Sequence, residues 1–196
     1  MGWPLRELAR LAAAAILFWL AAVMPARAAD TIRIGLSVAL TGAVAANGKQ
    51  VLLSIQVWKD DINAKGGLLG RPVELVYYDD QSNPSLVPGI YTKLIEIDKV
   101  DLVVGPYGTN MIVPAILTVQ QHGYLTIGLF GVAANREMHY GRYFSMLPAG
   151  PDPMLSLSEG FFAVAMQIEP KPQTVAISGA DAEFSKVSTA GARVNA

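Results

Sequence analysis

The chain of 196 residues contains no cysteine. That excludes disulfides, thiolate metal sites and a thiol nucleophile. Its two histidines, His122 and His139, are too few and too isolated to suggest a metal centre. Charge is sparse and balanced, with 15 basic and 16 acidic residues giving a formal net charge of −1. Nothing there forms the basic field that draws nucleic acid or anionic lipid, so neither is expected as a partner. No Gly-Lys-Ser/Thr phosphate loop occurs, no G-x-G-x-x-G follows a strand, and no G-x-S-x-G elbow is present. The signatures of nucleotide binding and of the α/β-hydrolases are therefore missing. No apolar run reaches the roughly 20 residues that a membrane span needs.

The longest such run, Leu11 to Met24, has 14 residues and follows Arg6 and Arg10. Pro25 ends it, and Ala26-Arg27-Ala28 places small residues where signal peptidase requires them. This is the layout of a secretory leader, with cleavage expected after Ala28. No cysteine follows the run, which argues against a lipid anchor. Cleavage leaves 168 residues, enough to bury a core without disulfides.

The remaining chain repeats one rhythm. Residues 31–38 alternate and are β-rich, reading as a strand that ends at Leu40-Thr41-Gly42, with a small-residue loop to Gly48. Residues from about Gln50 to Ala64 read as a helix through Leu53, Val57 and Ile62, with Trp58 on a flank, stopped at Lys65-Gly66-Gly67. Val73 to Tyr78 is a second strand. Asn83-Pro84 opens a helix whose apolar positions Val87, Ile90, Tyr91, Leu94 and Ile95 keep the helical period. Asp101 to Gly105 is a short apolar strand of the kind buried in parallel sheets. Thr109 or Asn110 can cap a helix reaching about His122, and residues 125–128 form a fourth strand. This alternation predicts an α/β fold, a doubly wound parallel sheet.

From Phe130 to Arg142 the rhythm gives way to a longer loop, followed by an extended segment at residues 143–147. Pro148, Pro151 and Pro153 read as a crossover between lobes. A helix from about Asp152 to Ile168, a strand at Thr174 to Ser178 and a helix from Glu183 complete the pattern.

Few groups here suggest catalysis. Asp79-Asp80 at a strand end reads first as a charged turn, with a metal or a ribose as the chemical alternative. Glu137-x-His139 reads as a surface pair, with acid–base chemistry as the alternative. No nucleophile–base pair can be named, and no enzyme activity or cofactor is expected.

Five blocks in order resemble a known family: Ile32-Arg33-Ile34-Gly35 with Leu40-Thr41-Gly42; Asp61-Ile62-Asn63-Ala64-Lys65-Gly66-Gly67-Leu68-Leu69-Gly70; Val73 through Asp80; Val103-Val104-Gly105-Pro106; and Val175-Ala176-Ile177 with Asp181. Over nearly all of the expected mature chain it resembles the type 1 periplasmic solute-binding proteins of ABC transporters, the branched-chain amino acid binding family. The resemblance implies two doubly wound lobes that close on a small-molecule solute by hinge motion. It implies a monomer in the periplasm that serves an inner-membrane ABC permease, and no cofactor. A ligand-binding sensory module is the alternative role, followed by an exported α/β enzyme. Residues 1–28 would be the leader, 29–148 the first lobe, and 149–196 the crossover and an incomplete start of the second. Members are roughly twice as long, so a truncated chain that binds solute weakly, with mobile residues beyond about Pro153, is the expectation.

In such folds the ligand sits outside the carboxyl ends of the strands. By the resemblance, Asn47 takes a cleft-lining position in the loop 41–48. Gly108 and Thr109 match the start of a helix where free N–H groups meet a ligand carboxylate. Thr109 would also serve as a plain N-cap. Tyr107 either stacks on a ligand or covers the sheet edge. Phe130 and Val132 stand where amino-acid binders carry small and hydroxyl residues, and the Val132 side chain cannot donate a hydrogen bond. A larger apolar or aromatic acid would suit Phe130, unless that ring packs into the core.

Overall fold

Isoleucine, leucine and valine at alternate positions of β1 (Ile32–Val38) turn to one face, and Ile32, Ile34, Leu36 and Val38 are all buried there. The opposite face carries Arg33, Gly35 and Ser37. A Cβ at Gly35 would lie 3.0 Å from Val100 and 3.1 Å from Leu94, so its missing side chain lets the covering layer approach closely. The computed structural model describes residues 30–147 and 150–196. The leader, its cleavage point at Ala28 and the lobe boundary at residue 148 lie outside the described residues.

Among the described residues, five strands form one sheet in the order β2-β1-β3-β4-β5, with every pairing parallel. The others are β2 (Val73–Asp79), β3 (Leu102–Tyr107), β4 (Thr126–Leu129) and β5 (Tyr143–Ser145). Ile32 pairs with Val73 and Val38 with Asp79, so β1 and β2 end together. The register of β3 on β4 shifts between Val104 and Tyr107, which carries β3 past a simple ladder at its carboxyl end. The chain steps from β1 outward to β2 and then returns to the other side of β1 for β3. The strand order therefore reverses between β1 and β3, where open α/β sheets hold their ligands.

Helix α1 (Ala45–Ala64) covers one face of the sheet. It starts before the Gln50 that the sequence suggests, so Asn47 belongs to its first turn rather than to a loop. Its orientation also differs from the expectation. Gly48 and Leu52 are buried, Ile55 and Ile62 are partly buried, and Leu53 and Val57 face outward at 57% and 61% exposure. The cause is Gly48, whose Cβ would fall 2.0 Å from the Ala39 carbonyl oxygen. Only glycine permits that approach, and it turns the helix about its axis in a way that apolar spacing alone does not reveal.

Asn83 accepts a hydrogen bond from the Ser85 N–H and opens a helical run through Pro84–Leu86, α2 (Val87–Thr92) and a wider turn at Lys93–Ile97. Val87, Tyr91, Leu94 and Ile95 are buried on the second face of the sheet, as their spacing predicts. The Tyr91 hydroxyl donates to the Val104 carbonyl over 2.6 Å, so the buried ring is anchored to β3. Helix α3 (Thr109–Gln121) shares this layer through Met111, Ala115 and Val119.

Helices α4 (Pro153–Ala165) and α5 (Glu183–Asn195) lie against each other. The Asn195 amide donates to the Leu155 carbonyl and to the Ser158 hydroxyl. Residues 174–178 form no strand, contrary to the reading of the sequence. A strand needs a neighbour for its N–H and C=O groups, and none lies beside this segment among the described residues.

Candidate functional site

Two loops and two helix starts meet at the carboxyl edge of the sheet, where Asp79 ends β2. One oxygen of its carboxylate accepts from the N–H groups of Leu40 (2.9 Å), Thr41 (3.2 Å) and Gln81 (2.8 Å); the other accepts from the Thr41 hydroxyl (2.7 Å). Burial pushes this carboxyl up, but the Thr41 hydroxyl and the three N–H donors outweigh it and hold its pKa below the ordinary value. Asp80 is 1% exposed and accepts from the Ser37 hydroxyl (2.7 Å) and the Ser82 N–H (3.0 Å). Burial raises its pKa, the two donors oppose that, and the Asp79 charge adds to the rise. Both carboxylates are spent on holding the β1–α1 and β2–α2 loops together, which supports the turn reading over a metal or ribose. Among the described residues, no group of three or more His, Asp or Glu side chains is placed to hold a metal ion. Glu137 and His139 are both exposed in the loop after β4.

Gly108 forms the β3–α3 junction. Gly108 has φ 85° and ψ 155°, a conformation open essentially to glycine alone. Its N–H donates to the Leu129 carbonyl, and its own carbonyl accepts from Met111 and Ile112. Gly108 is therefore the cap residue of α3, and the expectation that the Thr109 or Asn110 side chain caps the helix is corrected. Thr109 is instead the first helical residue, 1% exposed, and its hydroxyl oxygen accepts from the Val132 N–H over 2.9 Å. That bond ties the loop after β4 to the start of α3. The opening N–H groups of α3, at Thr109 and Asn110, have no intrahelical acceptor and carry the positive end of the helix.

Phe130 does not pack into the core. It sits at φ 56° and is 47% exposed. Its ring faces Tyr107, with centroids 5.6 Å apart and planes tilted by 48°. The Asn47 amide donates to the Tyr107 hydroxyl over 3.1 Å. Asn47 thus bears on the site through Tyr107. Val132 is 1% exposed, and its contribution is the backbone bond to Thr109.

These groups border a cleft of about 500 Å³, lined by Tyr107, Gly108, Thr109 and Phe130, together with Ser82 and the Ala43-Val44 turn. Asn47 and Val132 are outside that lining and support it. The sequence reading missed the far wall, made of Ala180, Ala182, Phe184 and Ser185 at the start of α5, and also Asn110 and Met111. The Asn110 side-chain oxygen accepts from the Phe184 N–H over 3.0 Å and closes this wall onto α3. The one advance signal was Asn110's place beside Thr109; nothing local to Phe184 points to α3.

Among the described residues, no helix is long and apolar enough to cross a membrane. A family model described as periplasmic binding protein matches residues 31–196. The Leu/Ile/Val-binding protein BraC3 of Rhizobium johnstonii is 38% identical over 96 residues, covering 49% of this chain and 26% of that protein. The leucine-specific-binding protein of Salmonella typhimurium is 31% identical over 158 residues, covering 80% of this chain and 41% of that protein. The branched-chain amino acid transporter substrate binding protein LivJ of Streptococcus pneumoniae, solved in complex with isoleucine, aligns with a TM-score of 0.56 at 28% identity. That alignment covers 59% of this chain and 33% of LivJ. The chain thus spans less than half the length of these relatives. With its parallel sheet, its cleft at the point of strand reversal and a family match across residues 31–196, the chain belongs to the periplasmic binding protein family.

Proposed function

We propose that this chain carries the gripping edge of an extracytoplasmic solute receptor that hands a small carboxylate-bearing solute to an inner-membrane ABC permease. The observation that carries the reading is the cleft itself. About 500 Å³ of space lies against the opening N–H groups of α3, where a carboxylate gains most from the helix end. Tyr107, Gly108, Thr109 and Phe130 line it, and Asn47 and Val132 hold them in place. The names of the relatives, as leucine- or branched-chain-amino-acid-binding proteins, support the same solute class. The receptor binds without turnover, as a monomer in the periplasm, after cleavage behind Ala28. Residues 29–148 act as the first lobe, and residues 149–196 as the crossover and start of the second.

Phe130 and Phe184 are 47% and 48% exposed, so the cleft stands open to water. Contacts to a charged solute there are weakened by high dielectric and by salt. Binding by this chain is accordingly weak, in the millimolar rather than the sub-micromolar range. The test is calorimetric titration of the chain from Ala29 with amino acids and simple carboxylic acids, with the solute assayed for chemical change afterwards. Saturable weak binding with the solute unchanged is the expected result. Conversion of the solute, or no binding of any carboxylate at millimolar concentration, overturns the reading.

A further inference from the structure

We infer that Asn110 is a latch residue, which holds the far wall of the cleft by capping α5 from the opposite side. The latch belongs to the chain's own geometry and stands whether or not the cleft takes a carboxylate. It begins with a deficiency in α5. The residue at its cap position is Ala182, whose methyl group accepts nothing, and no side-chain cap bond forms there. Ser, Thr, Asp or Asn is the usual choice at such a position, because the first N–H groups of a helix have no carbonyl to bond.

Part of the missing function is supplied nearby. The Ser185 hydroxyl reaches back and accepts from the Ala180 N–H over 2.9 Å, which fixes the entry loop. The Ala182 carbonyl accepts from the Lys186 N–H over 2.9 Å and starts the helical ladder. Neither bond serves the N–H of Phe184, the second residue of α5, where a cap side chain would bond. Its acceptor is the Asn110 side-chain oxygen at 3.0 Å, which reaches it from α3 across 74 positions. The cap of α5 is thus provided in trans, from the facing wall of the cleft.

The helix pair is fastened to the sheet body at this point and at one other. The Arg136 guanidinium donates to the Met154 sulfur and ties the loop after β4 to the start of α4. A thioether is a weak acceptor, so the Asn110 bond is the firmer of the two. Helices α4 and α5 are clamped to each other by Asn195 and by the close approach of Gly191, whose Cβ would fall 2.0 Å from the Met154 carbonyl oxygen. The pair therefore swings as a unit. The Asn110 bond is exposed, so water competes for both of its ends. Such a fastening is reversible. When water takes the Phe184 N–H, the wall is released and the first turn of α5 loosens in the same event.

Two measurements on the chain from Ala29 separate a latch from an ordinary cap: amide exchange, and the spacing of α3 and α5. The spacing is read by pulsed electron spin resonance between nitroxide labels on Gln120→Cys and Arg193→Cys, two exposed positions in a chain without native cysteine. Asn110→Ala is expected to speed exchange at Phe184 about fivefold, the effect of losing one helix cap, while Ile116 inside α3 is unchanged. The label distances are expected to lengthen and broaden in the same variant. Adding Ala182→Ser supplies a cap from within α5's own segment. It is expected to slow exchange at Phe184 again and to leave the distances broad. Phe184 exchange or label distances that Asn110→Ala leaves at the parent's values overturn the latch. Distances that Ala182→Ser restores also overturn it, because the wall would then need a cap but not Asn110.

Discussion

Replacing Thr109 by valine keeps the shape of the side chain and removes its hydroxyl. In the folded chain that hydroxyl oxygen takes the Val132 N–H at 2.9 Å in a buried setting. Without it, a buried donor loses its partner, which costs about 1–3 kcal/mol. The added methyl group recovers up to about 0.8 kcal/mol of apolar burial. The net loss is about 0.2–3 kcal/mol, centred near 1.5, which at its centre lowers the melting temperature of a chain of this size by about 3–6 °C. Amide hydrogen exchange separates this cause from a general loosening. Val132 should exchange much faster in Thr109→Val, while Ile112 and Ile116, buried within α3, keep their protection. Thr109→Ser retains the acceptor and should keep Val132 slow even if its lost methyl lowers stability. If the cleft holds a carboxylate as proposed, solute binding should also weaken in Thr109→Val, which moves the loop bordering the cleft. A Thr109→Val chain that melts with the parent and keeps Val132 protected would refute the role assigned to this bond.

Three further outcomes follow from other parts of the site and core. Gly108→Ala should cost about 1–3 kcal/mol through backbone strain alone, since nothing lies within 4 Å of the added Cβ; an unchanged denaturation midpoint would contradict that conformation. Asp79 has its folded pKa depressed, so its contribution is present above the ordinary carboxylate value and lost as pH falls through the folded value. Asp79→Asn should therefore lower stability at neutral pH and flatten the acid limb of the stability profile, read by urea titration across that range. His122 has its pKa raised by the Thr118 carbonyl and by Glu96, so its contribution is full below about pH 6.5 and lost as pH rises through the folded value. His122→Gln should thus destabilise the chain more at pH about 5.5 than at pH about 8.5, and equal losses at both would remove the effect.

Much of this architecture was legible in the sequence because its signals are local. Val87, Tyr91, Leu94 and Ile95 mark a helical face by spacing alone, and all four are buried. The strand ends at Asp79 and Gly105 locate the sheet's carboxyl edge, and with it Tyr107, Gly108, Thr109 and Phe130. What escaped depends on contacts remote in sequence. The rotation of α1 is set by Gly48 against Ala39, an approach that no hydrophobicity pattern records. Thr109 looks like a cap, but its hydroxyl bonds to a residue 23 positions away. Phe184 joins the cleft through Asn110, across 74 positions. Residues 174–178 carry strand-like composition, yet a strand also requires a neighbour, and composition cannot supply one.

The carboxyl edge of this sheet is proposed as a solute site. It is tested most directly by two-dimensional ¹H–¹⁵N NMR of the labelled chain from Ala29, titrated with leucine and with benzoate. Saturable shifts concentrated at the amides of Gly108, Thr109, Asn110, Phe130 and Val132 are expected from at least one of the two solutes. Saturable shifts confined to residues remote from this edge, or none with either solute at millimolar concentration, would contradict it.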